Sequence, residues 1–373
     1  MKPIDWTRVN KIFILSLIPD TVGDTLFQGP LASALKRYAP KAKITITTSP
    51  QNKPLLQSHP HFDEIVVLEE LATIAKKIGK IKKAFFYFKL LAHALCELQQ
   101  HKPDICIITQ PNFAPSQLLP WIARTPIRIG YRYKHAWFAW TLTHRARFRS
   151  PYETNDFHYH YLESNLDLIR AAGVVVKEKD KTVIKVVTPK QHAWAENFMK
   201  KNSATEKDIF IALQAGAKWK SKTWPEERFA AVVHELTKNK HIKILLIGSK
   251  SEQETNQRIA QSAHQQAILV IGQNTARVAA LLEKCALAFG NDSGIMHLAS
   301  AVGTTPIILY GMSIPDHNGP KGKGSYIALR GATYNDRPIL GPEDTIEGIQ
   351  RMQSITVEKA LATIRNLLAQ KRT

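Results

Sequence analysis

The sequence has little cysteine: Cys96, Cys106 and Cys285 are the only three in 373 residues, far apart and without a C-x-x-C pair. That scatter excludes a disulfide framework, argues against a zinc site and points to a reducing compartment. Long apolar runs are also missing. The first, residues 12–18, stops at Pro19–Asp20 without a small-residue cleavage site, so it reads poorly as a signal peptide. No stretch approaches the ~18 apolar residues of a membrane span. Acidic residues are scarce, with 31 Asp+Glu against 51 Lys+Arg and a net charge of +20. Such an excess calls for an anionic partner: nucleic acid, a membrane surface or a phosphorylated substrate. What is present is ordinary for a globular protein: 44% hydrophobic and 8% aromatic residues, in a chain long enough for two domains. The expectation is a cytoplasmic protein that touches a membrane without crossing it.

The positive charge is local. Residues 1–150 hold 22 basic and 9 acidic residues, whereas 251–350 hold 7 and 9. The densest part, 76–149, has 14 basic and 2 acidic residues and opens with KKIGKIKKAFFYFK. On a helix, Lys76, Lys80 and Lys83 share a face by their i, i+4, i+7 spacing. Lysines beside Phe85, Phe86, Tyr87 and Phe88 suit an anionic membrane interface. The bland alternative is a solvated helix face with its aromatics in the core. No nucleic-acid motif accompanies the charge, so nucleic acid is not expected.

Strand-like and helix-like segments alternate. KIFILSLI reads as a buried strand, 25–38 as a helix, and 42–48 and 64–68 as strands; 71–100 reads as a long helix before a strand at 104–109. The rhythm restarts with strands at 208–216, 243–248, 267–272, 286–291 and 305–311. Helices at 226–237, 252–263, 275–283 and 295–302 separate them. This predicts an α/β chain of two doubly wound, Rossmann-like domains facing a central cleft, with ligands at the carboxyl ends of the strands. The charged stretch 174–190 lies between the halves. The boundary is expected at about 185–205, giving a first domain over 1–190 and a second over 205–350. A C-terminal helix over 351–373 has the first domain as one candidate packing partner.

Three segments carry chemistry. The strongest is Gly290 to Pro306, GNDSGIMHLASAVGTTP. A strand delivers Asn291 and Asp292 to its carboxyl end, Ser293 and Gly294 form the turn, and a helix starts there. Exposed N–H groups and the helix dipole make that end an anion site. His297 lies about one turn on. An Asp292 N-cap with a surface histidine is the plainer alternative, but it leaves the gathering of Asp, Ser, Gly and His unexplained. The second segment is Ile18 to Leu31, where Gly23–Asp24 sits between strand and helix. Asp24 would project toward the cleft, where a carboxylate can act as a general base. From spacing alone it could equally cap the helix. The third is Ala215 to Phe229, with Lys218, Lys220 and Lys222; one of them could neutralise a diphosphate, or the loop could simply be solvated.

Together these segments resemble glycosyltransferase family 9, the lipopolysaccharide heptosyltransferases of GT-B fold. The N-D-S/T-G-x-x-H-x-A-A-x-G-T-P pattern is matched with Ser300 at one small position and an extra Thr304. Gly23–Asp24, the Lys222–Thr223–Trp224–Pro225 loop and Arg128–Ile129–Gly130–Tyr131 also match, and the resemblance spans about residues 10–365. It implies an inverting transfer of heptose from ADP-heptose to the lipopolysaccharide inner core, with Asp24 as general base. Lys222, with Ser293 and Gly294 through their amides, would hold the donor diphosphate. Asp292 and His297 would line the sugar pocket. Glu252 would accept from the ribose, with Glu254 competing for that place. Asn274 and Thr275, in the Gln273–Thr275 turn, would hold the adenine edge. Lys80, Lys83 and Arg128 would bind the acceptor, a phosphorylated glycolipid at the inner face of the cytoplasmic membrane. No metal and no cofactor beyond the nucleotide sugar is implied, since lysine and a helix N-terminus supply positive potential. Domain closure would assemble the site.

Departures from the pattern keep alternatives open. Gly311–Met312–Ser313–Ile314–Pro315–Asp316 replaces the family's usual G-P-T-D-P. Ala215–Gly216–Ala217 offers only backbone groups, so Lys218 or Lys220 could share the phosphate role. The alternatives are a family 9 transferase with another donor or acceptor, and a non-catalytic relative that binds an anionic glycolipid or nucleic acid. Protein-directed relatives can hold iron through cysteines; the scattered cysteines here argue against that version.

Overall fold

The computed structural model describes residues 3–17, 21–68, 80–109, 113–133, 137–149, 158–264, 266–332 and 345–371, with all their side chains except those of 80–83. The chain divides into two compact units, Met1–Val183 and Ile184–Thr373. The boundary therefore falls just ahead of the 185–205 expected, and helix Pro189–Lys201 belongs to the second unit.

The first unit is built on six parallel strands: β1 Lys11–Leu15, β2 Lys43–Thr48, β3 Glu64–Val67, β4 Ile105–Ile108, β5 Ile127–Arg132 and β6 His144–Arg147, in spatial order β3-β2-β1-β4-β5-β6. β1 and β4 are continuous apolar runs because both faces of a parallel sheet are covered. Helix Lys80–His101 sets Leu90, Ala94 and Leu98, four residues apart, against Phe13, Leu15, Cys106 and Ile108. β5 and β6 escaped the sequence reading. β6 is HRAR, with His144 and Ala146 buried and both arginines exposed, the alternation of an edge strand rather than an apolar run. The helix expected at 25–38 is two helices, Val22–Leu26 and Gln28–Tyr38. Pro30 has no N–H for the carbonyl of Leu26, so the chain breaks at Phe27. The Phe27 ring meets His160 edge-on at 5.5 Å.

The second unit repeats the plan with β7 Ile209–Gln214, β8 Ile242–Gly248, β9 Ala267–Ile271, β10 Leu287–Asn291, β11 Pro306–Tyr310 and β12 Ile327–Arg330, ordered β12-β11-β10-β7-β8-β9. Both sheets thus have the 3-2-1-4-5-6 order of a doubly wound fold, whose ligand crevice opens between the first and fourth strands. In the second unit those strands are β7 and β10, in register from Leu287–Ile211 to Gly290–Gln214. Helix Pro189–Lys201 starts with a Thr188/Gln191 capping box and packs on helix Thr275–Glu283, where the Arg277 guanidinium lies 4.9 Å over Trp194. Helix Val357–Gln370 places Ala360, Leu361, Ile364 and Leu367 in the second unit's core. Its apolar face is therefore used within the second unit.

Candidate active site

Two loops leave the sheet of the second unit at its switch point, one after β7 and one after β10. Their closeness is set by Gly290: a Cβ there would overlap the Gln214 carbonyl, so only glycine lets β10 lie against β7 at this level. Asn291 then ties the loops together. Its Nδ2 donates to the Ala215 carbonyl at 2.6 Å and its Oδ1 accepts from the Trp224 N–H at 3.0 Å. Trp224 is fully buried, edge-on to Phe229 at 5.0 Å, and its indole N–H donates to the Ile355 carbonyl at 2.9 Å. The asparagine of one motif and the tryptophan of the other are thus structural, and between them they fix where Lys222 stands.

The Lys222 ammonium lies 2.5 Å from Asp292 Oδ2, with only 16% and 6% of the two side chains exposed. The same oxygen accepts from the Ser313 hydroxyl at 2.5 Å. Burial alone would raise the Asp292 carboxyl. The Lys222 charge and hydrogen bond, with the Ser313 hydroxyl, outweigh it and hold Asp292 below the usual carboxylate range. His297 follows on helix Gly294–Val302, its Nδ1 sealed from solvent. Burial pushes its imidazole down to about 4, and the opposing pull of Asp292 is not enough to restore it. The ring is therefore neutral near pH 7, beside a charged carboxylate and a charged lysine.

Ser293 is the N-cap of that helix, in extended conformation, but its hydroxyl makes no cap bond and has no partner among the described residues. The first N–H groups of a helix have no acceptor within it. The helix therefore presents amides and a positive dipole end beside Lys222. At the neighbouring loop Glu252 accepts from the Ser249 N–H and hydroxyl, both at 2.7 Å, while its Oε1 lies 3.4 Å from Gln214 Nε2. Asn274 is an N-cap, its side chain accepting from the Arg277 N–H at 2.9 Å, and the Thr275 hydroxyl is buried without a partner among the described residues.

In the first unit, Asp24 stands in the first turn of helix Val22–Leu26. Thr21, not Asp24, caps that helix: its hydroxyl accepts from the Asp24 N–H at 3.1 Å. The Asp24 carboxylate is thus not the cap that spacing alone allowed. The Tyr161 phenol is held well above its usual range, first by burial and then by the negative charge of Asp24.

A family model described as glycosyltransferase family 9 (heptosyltransferase) matches residues 92–347. The chain belongs to glycosyltransferase family 9. Lipopolysaccharide heptosyltransferase 2 of Salmonella typhimurium is 26% identical over 367 residues, covering 96% of this chain and 99% of the relative. Lipopolysaccharide heptosyltransferase 3 of Escherichia coli is 24% identical over 300 residues, 79% of this chain and 80% of the relative. The crystal structure of a family 9 glycosyl transferase from Veillonella parvula superposes with a TM-score of 0.79 at 21% identity, covering 99% of both chains. E. coli ADP-heptose lps heptosyltransferase II gives 0.72 at 22%, covering 97% of this chain and 100% of that one. The fold is GT-B, and this family 9 chain is a heptosyltransferase-like glycosyltransferase.

The structure brings Lys222, Asp292, Ser293, Gly294 and His297 of this family 9 protein to one point. Of the competing lysines, Lys218 is exposed with its ammonium 5.2 Å over Trp219, and Lys220 is exposed. Of the competing glutamates, Glu254 is exposed and Glu252 lies against Gln214. Arg128 uses its Nε and Nη1 on the carbonyls of Thr141 and Thr125, both at 2.6 Å, which ties β5 to the turn before β6. Lys76 lies outside the described residues, as do the side chains of Lys80 and Lys83, of which only the helical backbone is described. The sequence reading missed Ser313 and Tyr161. Ser313 had two signals, its place after β11, the strand next to β10, and its place in the Gly311–Asp316 segment that stands where the family has G-P-T-D-P, but it was given no role; Tyr161 had none.

The neutral His297 gives a pH prediction. The unfolded imidazole has the ordinary value of 6.5 and the folded one about 4. Between these values the unfolded chain binds the extra proton, so stability falls as pH drops through that window. The loss should approach roughly 3 kcal/mol at its lower end. Urea unfolding at pH 7 and pH 4.5 should show this slope in the wild type and a shallower one in His297→Gln. Equal slopes would mean the ring is charged or exposed in the folded chain.

Proposed function

We propose that the chain transfers heptose from ADP-heptose to the lipopolysaccharide inner core in one inverting displacement. The acceptor hydroxyl oxygen attacks the anomeric carbon while Asp24 takes its proton. The bond from that carbon to the diphosphate oxygen breaks, and its electrons leave with ADP. The observation that carries this reading is the Lys222–Asp292 pair at the amino end of helix Gly294–Val302. An ammonium has three N–H groups; one is used on Asp292, and the others can meet phosphate oxygens as negative charge grows on them. The Ser293 and Gly294 amides serve the same oxygens. Glu252 accepts from the ribose hydroxyls, and the Gln273–Thr275 turn holds adenine. The names of the relatives favour a heptose donor and a lipopolysaccharide acceptor. The basic first half faces that phosphorylated glycolipid at the inner face of the membrane. No helix among the described residues is long and apolar enough to cross a bilayer.

Calorimetry of the purified protein with ADP-heptose, ADP, UDP and GDP tests the donor. Selective binding of ADP-heptose and ADP is expected. A preference for UDP or GDP would remove the heptose donor, and no nucleotide binding would remove the transferase reading. Glu252 offers a sharper check. A Cβ on Gly216 would overlap its carboxylate tip, the mobile end of a side chain, so Gly216→Ala should fold and turn Glu252 aside. Losing charge-assisted bonds to the ribose should weaken ADP by about tenfold or more. Unchanged ADP affinity would take Glu252 out of the donor site.

A further inference from the structure

Apolar side chains are left in solvent on one part of the first unit. Phe85 and Phe88, one turn apart on helix Lys80–His101, are 64% and 69% exposed; Trp137 and Trp140 are 76% and 60% exposed. Trp121 and Ile122, at the end of helix Leu118–Ile122, are exposed too, and Trp121 meets Trp140 edge-on at 5.4 Å. Trp121 and Trp140 are in ring contact, and helix Lys80–His101 packs against helix Leu118–Ile122. Tyr87, between the two phenylalanines, stacks on Phe113 at 5.5 Å, and the chain runs from Phe113 into helix Leu118–Ile122. Inward-facing positions of the same elements, such as Leu90 and Leu119, fill the core. Turning five rings and an isoleucine outward is not needed for folding, and grouped exposed aromatics mark an interaction site.

The charge of the same segment identifies the partner. Lys89, Arg124, Arg132, Arg145 and Arg147 are exposed, within the segment 76–149 that holds 14 basic and 2 acidic residues. Tryptophan is the residue of the membrane–water interface, with an apolar ring and one polar edge. Arginine and lysine beside it meet lipid phosphates, and weak anchors of each kind become stable only in combination. We infer that Phe85, Phe88, Trp121, Trp137 and Trp140 insert into the headgroup region of an anionic bilayer, with the surrounding basic residues on its phosphates. The surface rests on the membrane-side placement proposed above and names the residues that achieve it.

Co-sedimentation of the full chain with phosphatidylcholine vesicles, with and without phosphatidylglycerol, tests this. Binding should require the anionic lipid and weaken with salt. Trp137→Ser/Trp140→Ser and Phe85→Ser/Phe88→Ser change exposed positions, so both should fold, and each should weaken partition on the order of tenfold. Tryptophan emission should shift to the blue on anionic vesicles, and less so in the double tryptophan variant. Unchanged partition of both variants, or equal binding to neutral vesicles, would overturn the proposal. So would a wild-type dimer that Trp137→Ser/Trp140→Ser dissociates, since a second copy would then cover the rings. Nucleotide calorimetry on the same samples separates the two readings: its failure removes the transferase and leaves the vesicle result standing.

Discussion

Asp24→Asn should lower the transfer rate by roughly a hundredfold to ten-thousandfold while leaving ADP binding intact. The argument is one of placement. The helix start that holds Asp24 is secured by the Thr21 hydroxyl and by backbone bonds, including Thr25 N–H to the Thr21 carbonyl at 3.2 Å. None of these uses the Asp24 carboxylate, so an amide of the same shape should leave the helix in place. What the amide cannot do is take a proton from the acceptor hydroxyl. The residues proposed for the donor all lie in the second unit, at 214–222, 249–252, 274–275 and 292–297. Calorimetry with ADP should therefore match the wild type when single-turnover transfer has collapsed. A transfer rate within a few-fold of wild type would move the base elsewhere. A parallel loss of ADP affinity would show that the substitution reaches the donor site, and the rate loss would then say nothing about a base.

The parts of this site that could be read from sequence are those where one short segment carries both the geometry and the chemistry. GNDSG at a strand's end announces a turn, a helix start and an anion site within five residues, and the structure has the turn and the helix start. Lys222 was harder, because three lysines alternate along one loop. Trp224 decides among them: its burial orients the chain so that Lys222 turns in while Lys218 and Lys220 face solvent. A single tryptophan in the sequence does not say which way its loop will turn. Ser313 reaches Asp292 from the loop after a neighbouring strand, and Tyr161, on a helix far along the chain, feels the charge of Asp24; couplings of that kind follow from topology. In the fold, apolar strands were legible and polar edge strands such as HRAR were not, because exposed arginines hide the alternation. The break at Phe27 was visible in principle, since Pro30 forbids a continuous helix.

The Lys222–Asp292 pair carries the largest expected effect on stability. Lys222→Met should destabilise the chain by about 3–5 kcal/mol at neutral pH, because it leaves a carboxylate buried without its counter-charge. Ser313 would remain as a partner for Asp292, but a hydroxyl cannot offset a full charge. The sign of the pH dependence makes the cause testable. In the wild type the Asp292 carboxyl is held below its ordinary range, so the pair's contribution is present above about pH 4 and fades only as pH falls further. Without the lysine, burial dominates and the carboxyl rises. The cost of Lys222→Met should thus shrink as pH is lowered and Asp292 takes up a proton, and the gap between variant and wild type should narrow. Asp292→Asn placed on Lys222→Met should recover part of the lost stability, giving a coupling of about 0.5–3 kcal/mol in the four-protein cycle. Transfer should stay lost in that double variant, since the lysine's charge is no longer there to meet the diphosphate. Urea midpoints across pH read the first result and single-turnover transfer the second. A Lys222→Met midpoint equal to the wild type at neutral pH would mean that water, not the lysine, balances Asp292. A double variant that regains both stability and transfer would mean that the pair only holds the loop, and that the phosphate charge is met elsewhere.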